Sequence, residues 1–393
     1  MDKALRKVMS YRLLAIGLLI FLFFTIDYRL SAIDHVYAQP EQHIRVLVLK
    51  DAQSLSLKVR GSYEILDSGD KSVLSRGKNL KTTITIYQNN IMLGKMNFKG
   101  RGLLIRPIDP QALAVNGRNF RGDIELLKSN NKQISAINHI ELEDYIKGIL
   151  YNEASHYWPK AALEAQAIIS RTYAIYQIGE NSSKDYDVTS DIYSQVYGGK
   201  ASERYRTNKA VDETGGLMLA YQGKVFPAYY HATCGGHTED ASILWNISLA
   251  PLKGVPCSFC KDSVHYNWHA VLTQDEIRDA LSKEKYKIKN IKDILLLGRD
   301  NSNRVRSLKI ISDTKDIELA AKDFRQILGP NSIKSANFKL NVVNHDVVFE
   351  GLGWGHGVGL CQWGAYFMAK QGYSVKEILK YYYPGSDVET FRF

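Results

Sequence analysis

No run of five basic residues and no nucleic-acid motif occurs in this chain, although Lys and Arg outnumber Asp and Glu by 51 to 41 and leave a net charge of +10. A dispersed basic excess favours anionic partners such as an acidic wall polymer or a membrane surface, and it argues against nucleic acid. The apolar run LLAIGLLIFLFFTI at 13–26 is fourteen residues long, short of the ~20 that a helical membrane span needs. Cysteine is scarce, at four in 393 residues; an exported chain could form disulfides, but Cys257 and Cys260, three apart, fit a metal knuckle better than a structural bridge. There is no Pro-rich or low-complexity boundary and no convincing repeat.

The short apolar run follows Lys3, Arg6, Lys7 and Arg12, the layout of an export signal. VYA at 36–38 is late for a cleavage site, and Asp27 and Arg29 follow the run directly. The segment is therefore expected to export the chain and to remain as an anchor in the cytoplasmic membrane, basic end inside, or to release the chain if cleaved. Either way the bulk of the protein lies outside the cytoplasm. Residues 1–42 then serve as signal or anchor plus linker.

From His43 the text is strand-like. IRVLVL and SLSLKV alternate as half-buried strands do, and the pattern continues to about residue 139. Near 141 the period changes: Leu142, Tyr145, Ile146, Ile149 and Leu150 repeat as one helix face, predicting a helix that ends near Tyr151 or Asn152. A second helix is predicted from Pro159 to about Ile178, with Gly179 as its stop. Between Ala165 and Gly179 its only charge is Arg171. A buried guanidinium there requires a carboxylate or a bound ligand. Short strands and loops follow, with a further helix at 276–284. The glycine-rich 351–364 loop precedes a helix from Ala365 to Lys370 and a Ser374–Glu377 capping box. The fold class is α+β, with a β-rich part at 43–140 and a catalytic core at 141–393.

Four constellations bear on chemistry. Glu153 is flanked by Tyr151, Tyr157 and Trp158 and followed by a helix of buried type. It is either a solvated loop carboxylate or an acid whose pKa an apolar setting raises for glycosidic cleavage. YDVTSDIYSQVYGG at 186–199 offers Asp187 and Asp191 as second carboxylates, as an ordinary glycosidase would use, or else a polar turn. Cys234-Gly-Gly-His237 and Cys257-Ser-Phe-Cys260 are two pairs of ligand spacing that fit one structural zinc, with His231 able to replace His237. A redox dithiol or disulfide at Cys257 and Cys260 is the competing reading. In GLGWGHGVGLCQWGA the glycines allow backbone to approach a ligand, His356 and Gln362 can hydrogen-bond it, and Trp354 and Trp363 supply ring faces. The alternatives there are a structural glycine turn, and a thiol nucleophile at Cys361 beside His356. The abundance of tyrosine, 24 residues, suits a groove that grips a polar polymer.

Together NEASHYWPKAALEAQAIISRTYA, SQVYGG, YYHATCGGHTE and GWGHGVGLCQWGA, in this order, resemble the stage II sporulation protein D family over about residues 44–390. The resemblance implies a membrane-anchored lytic transglycosylase of peptidoglycan. Such an enzyme cuts between N-acetylmuramic acid and N-acetylglucosamine on strands stripped of stem peptides by an N-acetylmuramoyl-L-alanine amidase. It places the catalytic acid at Glu153. It makes Arg171, Tyr173, Gln195, Tyr197, His231, His356 and Gln362 substrate-lining or structural residues. Zinc occurs in some members and not in others. A single acid suffices for such an enzyme, because the muramic C6 hydroxyl attacks C1, so neither Asp187 nor Asp191 is needed. A non-catalytic glycan-binding protein that localises or activates other wall enzymes is the alternative.

Overall fold

The computed structural model describes residues 42–109, 113–130 and 132–391. The apolar 13–26 run and nearly all of the linker lie outside them. Among the described residues no helix is long and apolar enough to cross a membrane.

The strand-like text forms an eleven-stranded sheet. In Ser54–Asp67 the alternation is direct: Leu55, Leu57 and Val59 are buried, while Ser56, Lys58 and Arg60 face solvent. Adjacent strands pair antiparallel from His43–Ala52 through Ile134–Glu141, Asp123–Lys128 and Gly102–Pro107 to the long Ser54–Asp67/Val73–Tyr87 hairpin. At the opposite edge Val188–Thr189 joins His43–Ala52 in parallel.

The chain changes from strand to helix at Glu141/Leu142. Helix α1 spans Leu142–Glu153 and buries Leu142, Tyr145, Ile146, Ile149 and Leu150, the face read from the sequence. It runs one residue further than expected, so Glu153 is the last helical residue rather than a loop residue. Helix α2 spans Lys160–Glu180, with Pro159 at its N-cap. It passes through Gly179, whose backbone stays in an ordinary helical conformation, and stops at Asn181 instead.

Its low charge has a simple cause. Leu163, Ala167 and Ala174 pack into the core beneath the sheet. Ala165, Ile168 and Ile169 pack into a second core with the four cysteines and the C-terminal helices Gln362–Lys370 and Val375–Tyr382. A helix buried on two sides cannot carry an ordinary polar stripe.

A third core lies between these parts in sequence. Trp268, Ile277, Leu308, Phe324 and Phe349 form its centre. It is enclosed by two three-stranded sheets and the helices Gln274–Lys283 and Ala321–Leu328. Where short strands and loops were expected, the chain builds a lobe with its own interior.

Candidate active site and cysteine cluster

Glu153 stands where α1 ends and the chain turns toward α2, and its side chain is half-buried. Three donors from distant segments converge on it. Val196 N–H meets Oε1 at 3.1 Å. The Gln362 amide meets Oε2 at 3.5 Å and the Glu153 carbonyl at 3.1 Å. The Tyr230 hydroxyl is the third donor. Burial raises the Glu153 pKa above the ordinary carboxyl range, and it prevails over these hydrogen bonds, which act to lower it. The acid is thus biased toward its protonated form while its anion keeps three partners.

Each donor is itself held. Tyr145 donates to Gln195 Oε1 at 3.1 Å, and Gln195 Nε2 donates to the Tyr230 oxygen at 3.1 Å. That leaves the Tyr230 proton for Glu153. Burial, then the Glu153 charge, pushes the Tyr230 pKa well above the usual tyrosine range, so the hydroxyl keeps that proton. Asn152 Nδ2 donates to Val196 O at 2.8 Å and clips the same peptide segment whose N–H faces Glu153. Tyr197, buried, donates to Asn138 Oδ1 at 2.7 Å and presses on Gly148 of α1, where an added Cβ would lie 2.4 Å from the ring. Gln362 also donates to Gln166 Oε1 at 3.3 Å.

A groove of about 730 Å³ opens in front of this carboxyl. Tyr173, His231, His356 and Gln362 line it, as do Tyr230 and Trp354. His231 donates from Nδ1 to Val358 O at 3.1 Å, and burial, then Arg304, lowers its pKa to about 3. His356 accepts from Val358 N–H at 3.1 Å, and its pKa lies well below the imidazole range, chiefly through burial. Both rings are neutral, so neither supplies charge to the groove.

Three expected substrate residues lie elsewhere. Arg171 is fully buried on α2 and does not line the groove. Its partner is Glu143 of α1, at 2.7 and 2.8 Å, and it also donates to Leu217 O at 2.9 Å. Its charge ties α1, α2 and the Leu217–Tyr221 strand together. Gln195 and Tyr197 act behind the groove wall, through Tyr230 and Val196. Asp187 is buried and paired with Arg45, and Asp191 caps its own turn by accepting from Tyr193 N–H at 2.9 Å. Of the glycines at 351–359, Gly355 lines the groove, whereas Gly353 and Gly359 serve packing. At Gly353 (φ +81°) an added Cβ would lie 2.5 Å from Thr233 O, and at Gly359 (φ +71°) 1.9 Å from Tyr229 O. Trp363 likewise packs on Trp158, Tyr366 and His265.

The metal set also needs correction. The Sγ atoms of Cys234, Cys257, Cys260 and Cys361 lie within 4.8 Å of one another and all four residues are buried. His237 is outside the group, with Nδ1 on Thr238 O at 2.6 Å. Gly235 and Gly236, both at positive φ, turn the chain so that His237 bridges to Pro256. His231 faces the groove. Cys361 arrives instead because Leu360–Cys361 pairs in parallel with Tyr230–His231. Spacing along the chain points to the nearby histidine, whereas a strand pair brings in a cysteine from far downstream. The four thiols fit zinc: tetrahedral Zn–S bonds of about 2.3 Å put sulfurs about 3.8 Å apart, and Cys234 and Cys260 are separated by 3.4 Å. Cys361 Sγ accepts the N–H groups of Cys234 and Gly364, both at 3.3 Å, as a thiolate ligand would. Cys361 is fully buried and does not line the groove, which removes the thiol-nucleophile reading.

Tyr230, the Val196 N–H and the lobe helix Ala321–Leu328 were missed from sequence. Tyr230 lies next to His231 within a motif already singled out, and only the fold shows which tyrosine of the pair turns toward Glu153.

Comparison with known proteins follows this division. Residues 130–221, which hold α1, α2, Glu153 and the Gln195–Tyr197 segment, match the Stage II sporulation protein family. Residues 258–359, which include the inserted lobe, match a domain of unknown function. The chain is 33% identical to an uncharacterised protein of Brachyspira hyodysenteriae over 362 residues, 91% of this chain and 95% of that one. It is 29% identical to the stage II sporulation protein D of Bacillus subtilis over 303 residues, 72% of this chain and 86% of that one. It is 27% identical to the amidase enhancer of Bacillus subtilis, covering 78% of this chain and 50% of that one.

Proposed function

We propose that this chain, which belongs to the stage II sporulation protein D family, carries out its cell-wall role as a lytic transglycosylase of peptidoglycan glycan strands, with Glu153 as its single acid/base. The observation that supports this reading is a half-buried carboxyl with a raised pKa, held by three donors at the edge of a groove lined by aromatic rings. Glu153 donates its proton to the glycosidic oxygen between N-acetylmuramic acid and N-acetylglucosamine, and the C1–O bond breaks. The muramic C6 hydroxyl forms a bond to C1, closing a 1,6-anhydro ring. Its proton passes to the Glu153 carboxylate, which restores the acid. Val196, Tyr230 and Gln362 hold the anion that exists between the two transfers, and this is when they matter most. Tyr173, Tyr230 and Trp354 offer ring faces to sugars.

Zinc, when bound, would be held by Cys234, Cys257, Cys260 and Cys361, a closed set that braces the fold and leaves no open position for substrate. Export and membrane anchoring through residues 13–26, and an amidase that prepares stripped strands, complete the reading.

The test is mass spectrometry of products from peptide-stripped strands. Anhydro-muramic ends are expected from the wild type, and none from Glu153→Gln. Wild-type digestion by Glu153→Gln would refute the assignment. Asp323 also lines the groove and gives a second reading, hydrolysis with Asp323 as base; reducing ends, lost in Asp323→Asn, would favour it. Binding without any product would leave a glycan-binding protein.

A further inference from the structure

The inserted lobe reaches the groove through the helix Ala321–Leu328. Ala321 and Phe324 bury into the lobe's own core, which turns Lys322, Arg325 and Gln326 toward the groove. The two flanking residues are committed. Lys322 Nζ donates to Leu244 O at 2.6 Å, and Gln326 Nε2 donates to Tyr193 OH at 3.1 Å. These bonds fasten the helix across the groove to the other parts of the wall. Arg325, between them, makes one hydrogen bond, from Nε to Lys334 O at 3.2 Å. Among the described residues neither terminal nitrogen of its guanidinium has a hydrogen-bond or ion-pair partner.

That is an unusual state for a half-buried cation. Burial, then the charge of Arg304, brings the Arg325 pKa down to about 10, so its surroundings disfavour the charge and supply no carboxylate against it. Asp323 lines the groove but forms no ion pair with Arg325 and is exposed. Since His231 and His356 are neutral, Arg325 and the committed Lys322 are the cationic groups among the described lining residues. A guanidinium whose free edge faces a ligand groove matches a carboxylate in two-pronged geometry.

We propose that Arg325 is a specificity-determining residue that receives the free lactyl carboxylate of a muramic acid unit. This rests on the glycan reading of the groove. A muramic unit that still carries a peptide presents an amide at that position, a neutral group that leaves the guanidinium uncompensated. Selection for peptide-free glycan is then assigned to one side chain, and that side chain comes from the inserted lobe rather than from the part that carries Glu153.

The test measures binding rather than cleavage, so that it survives failure of the catalytic assignment. Full-length Glu153→Gln protein is titrated with peptide-stripped strands and with the same strands after conversion of their carboxylates to primary amides. Loss of a charge-assisted bond predicts roughly 10- to 150-fold weaker binding to the amidated strands. Adding Arg325→Met should abolish that ratio by weakening binding to the carboxylate strands alone. It should leave the melting temperature unchanged or higher, since a poorly compensated cation has been removed. Equal binding of the two strands by the Glu153→Gln protein, a ratio unaltered by Arg325→Met, or no binding to stripped strands would each overturn the proposal. A fall in melting temperature with equal weakening toward both strands would make Arg325 merely structural. If Glu153→Gln cleaves like the wild type, the catalytic reading fails while the carboxylate test stands.

Discussion

Tyr230→Phe isolates the balance that makes Glu153 an acid. Phenylalanine keeps the ring and removes only the hydroxyl, which accepts from Gln195 at 3.1 Å and donates to Glu153. Gln195 retains Ser170 O at 3.4 Å, so the cost to the fold is modest, about 1 kcal/mol. The cost to the Glu153 anion is larger. A hydrogen bond to a charged group is worth about 1.5–3 kcal/mol, and a pKa unit corresponds to about 1.36 kcal/mol. Removing a donor that favours the anion therefore raises the Glu153 pKa further. In the proposed mechanism cleavage needs the protonated acid, so the alkaline limb of kcat/KM against pH should move upward. The plateau should fall, because the acid is weaker and its anion less well held. The measurement is a pH series of product release from peptide-stripped strands, with circular dichroism as a check on folding. A limb that stays in place, or moves toward acid, would refute the view that Tyr230 sets the acidity of Glu153.

Glu153→Gln should change stability with pH in a defined direction. A carboxyl whose pKa is raised by folding binds protons more tightly in the native state, so stability is lost as pH rises from the unfolded carboxyl value through the folded one. Glutamine is free of that loss, so the variant should gain on the wild type in melts at pH 8 and converge with it below about pH 4; a constant gap would contradict the shift. Glu143→Ala should cost about 2–4 kcal/mol in denaturant titration by stranding Arg171, the lower part of that range being favoured because the Glu143 side chain is 38% exposed. Weaker glycan binding with undiminished stability would instead put Arg171 in contact with substrate. Cys361→Ser should lose bound zinc in metal analysis while His237→Ala keeps it, and the opposite pattern would restore the histidine to the ligand set.

What could be read from the sequence was what is local. Helix α1, the burial of α2 and the capping box at Ser374 follow from periodicity and short-range hydrogen bonding. Glu153 stood out as a candidate acid because motifs along the chain together resemble one family. What could not be read was long-range pairing. The bridge between Arg171 and Glu143 joins two helices at a separation of 28 residues, and nothing in either segment names the other. Cys361 reaches Cys234 only through a parallel strand pair. The lobe's strands are short and ordinary, and their meaning depends on a core that no single segment reveals. Gly353 and Gly359 show the same limit from the other side: the abundance of glycine was visible, but the surface these two approach is the chain's own Thr233 and Tyr229 backbone.

The same strand pair explains why a closed thiol cluster matters to a distant acid. Tyr230 and His231 pair with Leu360 and Cys361, so the hydroxyl donor to Glu153 and a cluster cysteine belong to one short ladder. Cys361 is the N-cap of the helix that begins with Gln362, its sulfur accepting the Gly364 N–H, and Gln362 is the amide donor to Glu153. Two of the three donors that tune the acid are therefore anchored at the cluster, while the third, Val196, is anchored by Asn152 beside the acid itself. A metal held there would take no part in bond cleavage, yet it would fix the positions from which Tyr230 and Gln362 act. The inserted lobe joins the same frame from the other direction, since Arg304 donates to Cys234 O at 2.8 Å and His237 O at 3.0 Å. The lobe that carries Arg325 is thus tied to the segment that carries the cluster. Placement of Tyr230, Gln362 and Arg325 then depends on one buried junction, while Glu153 itself and Val196 are set by α1 and Asn152.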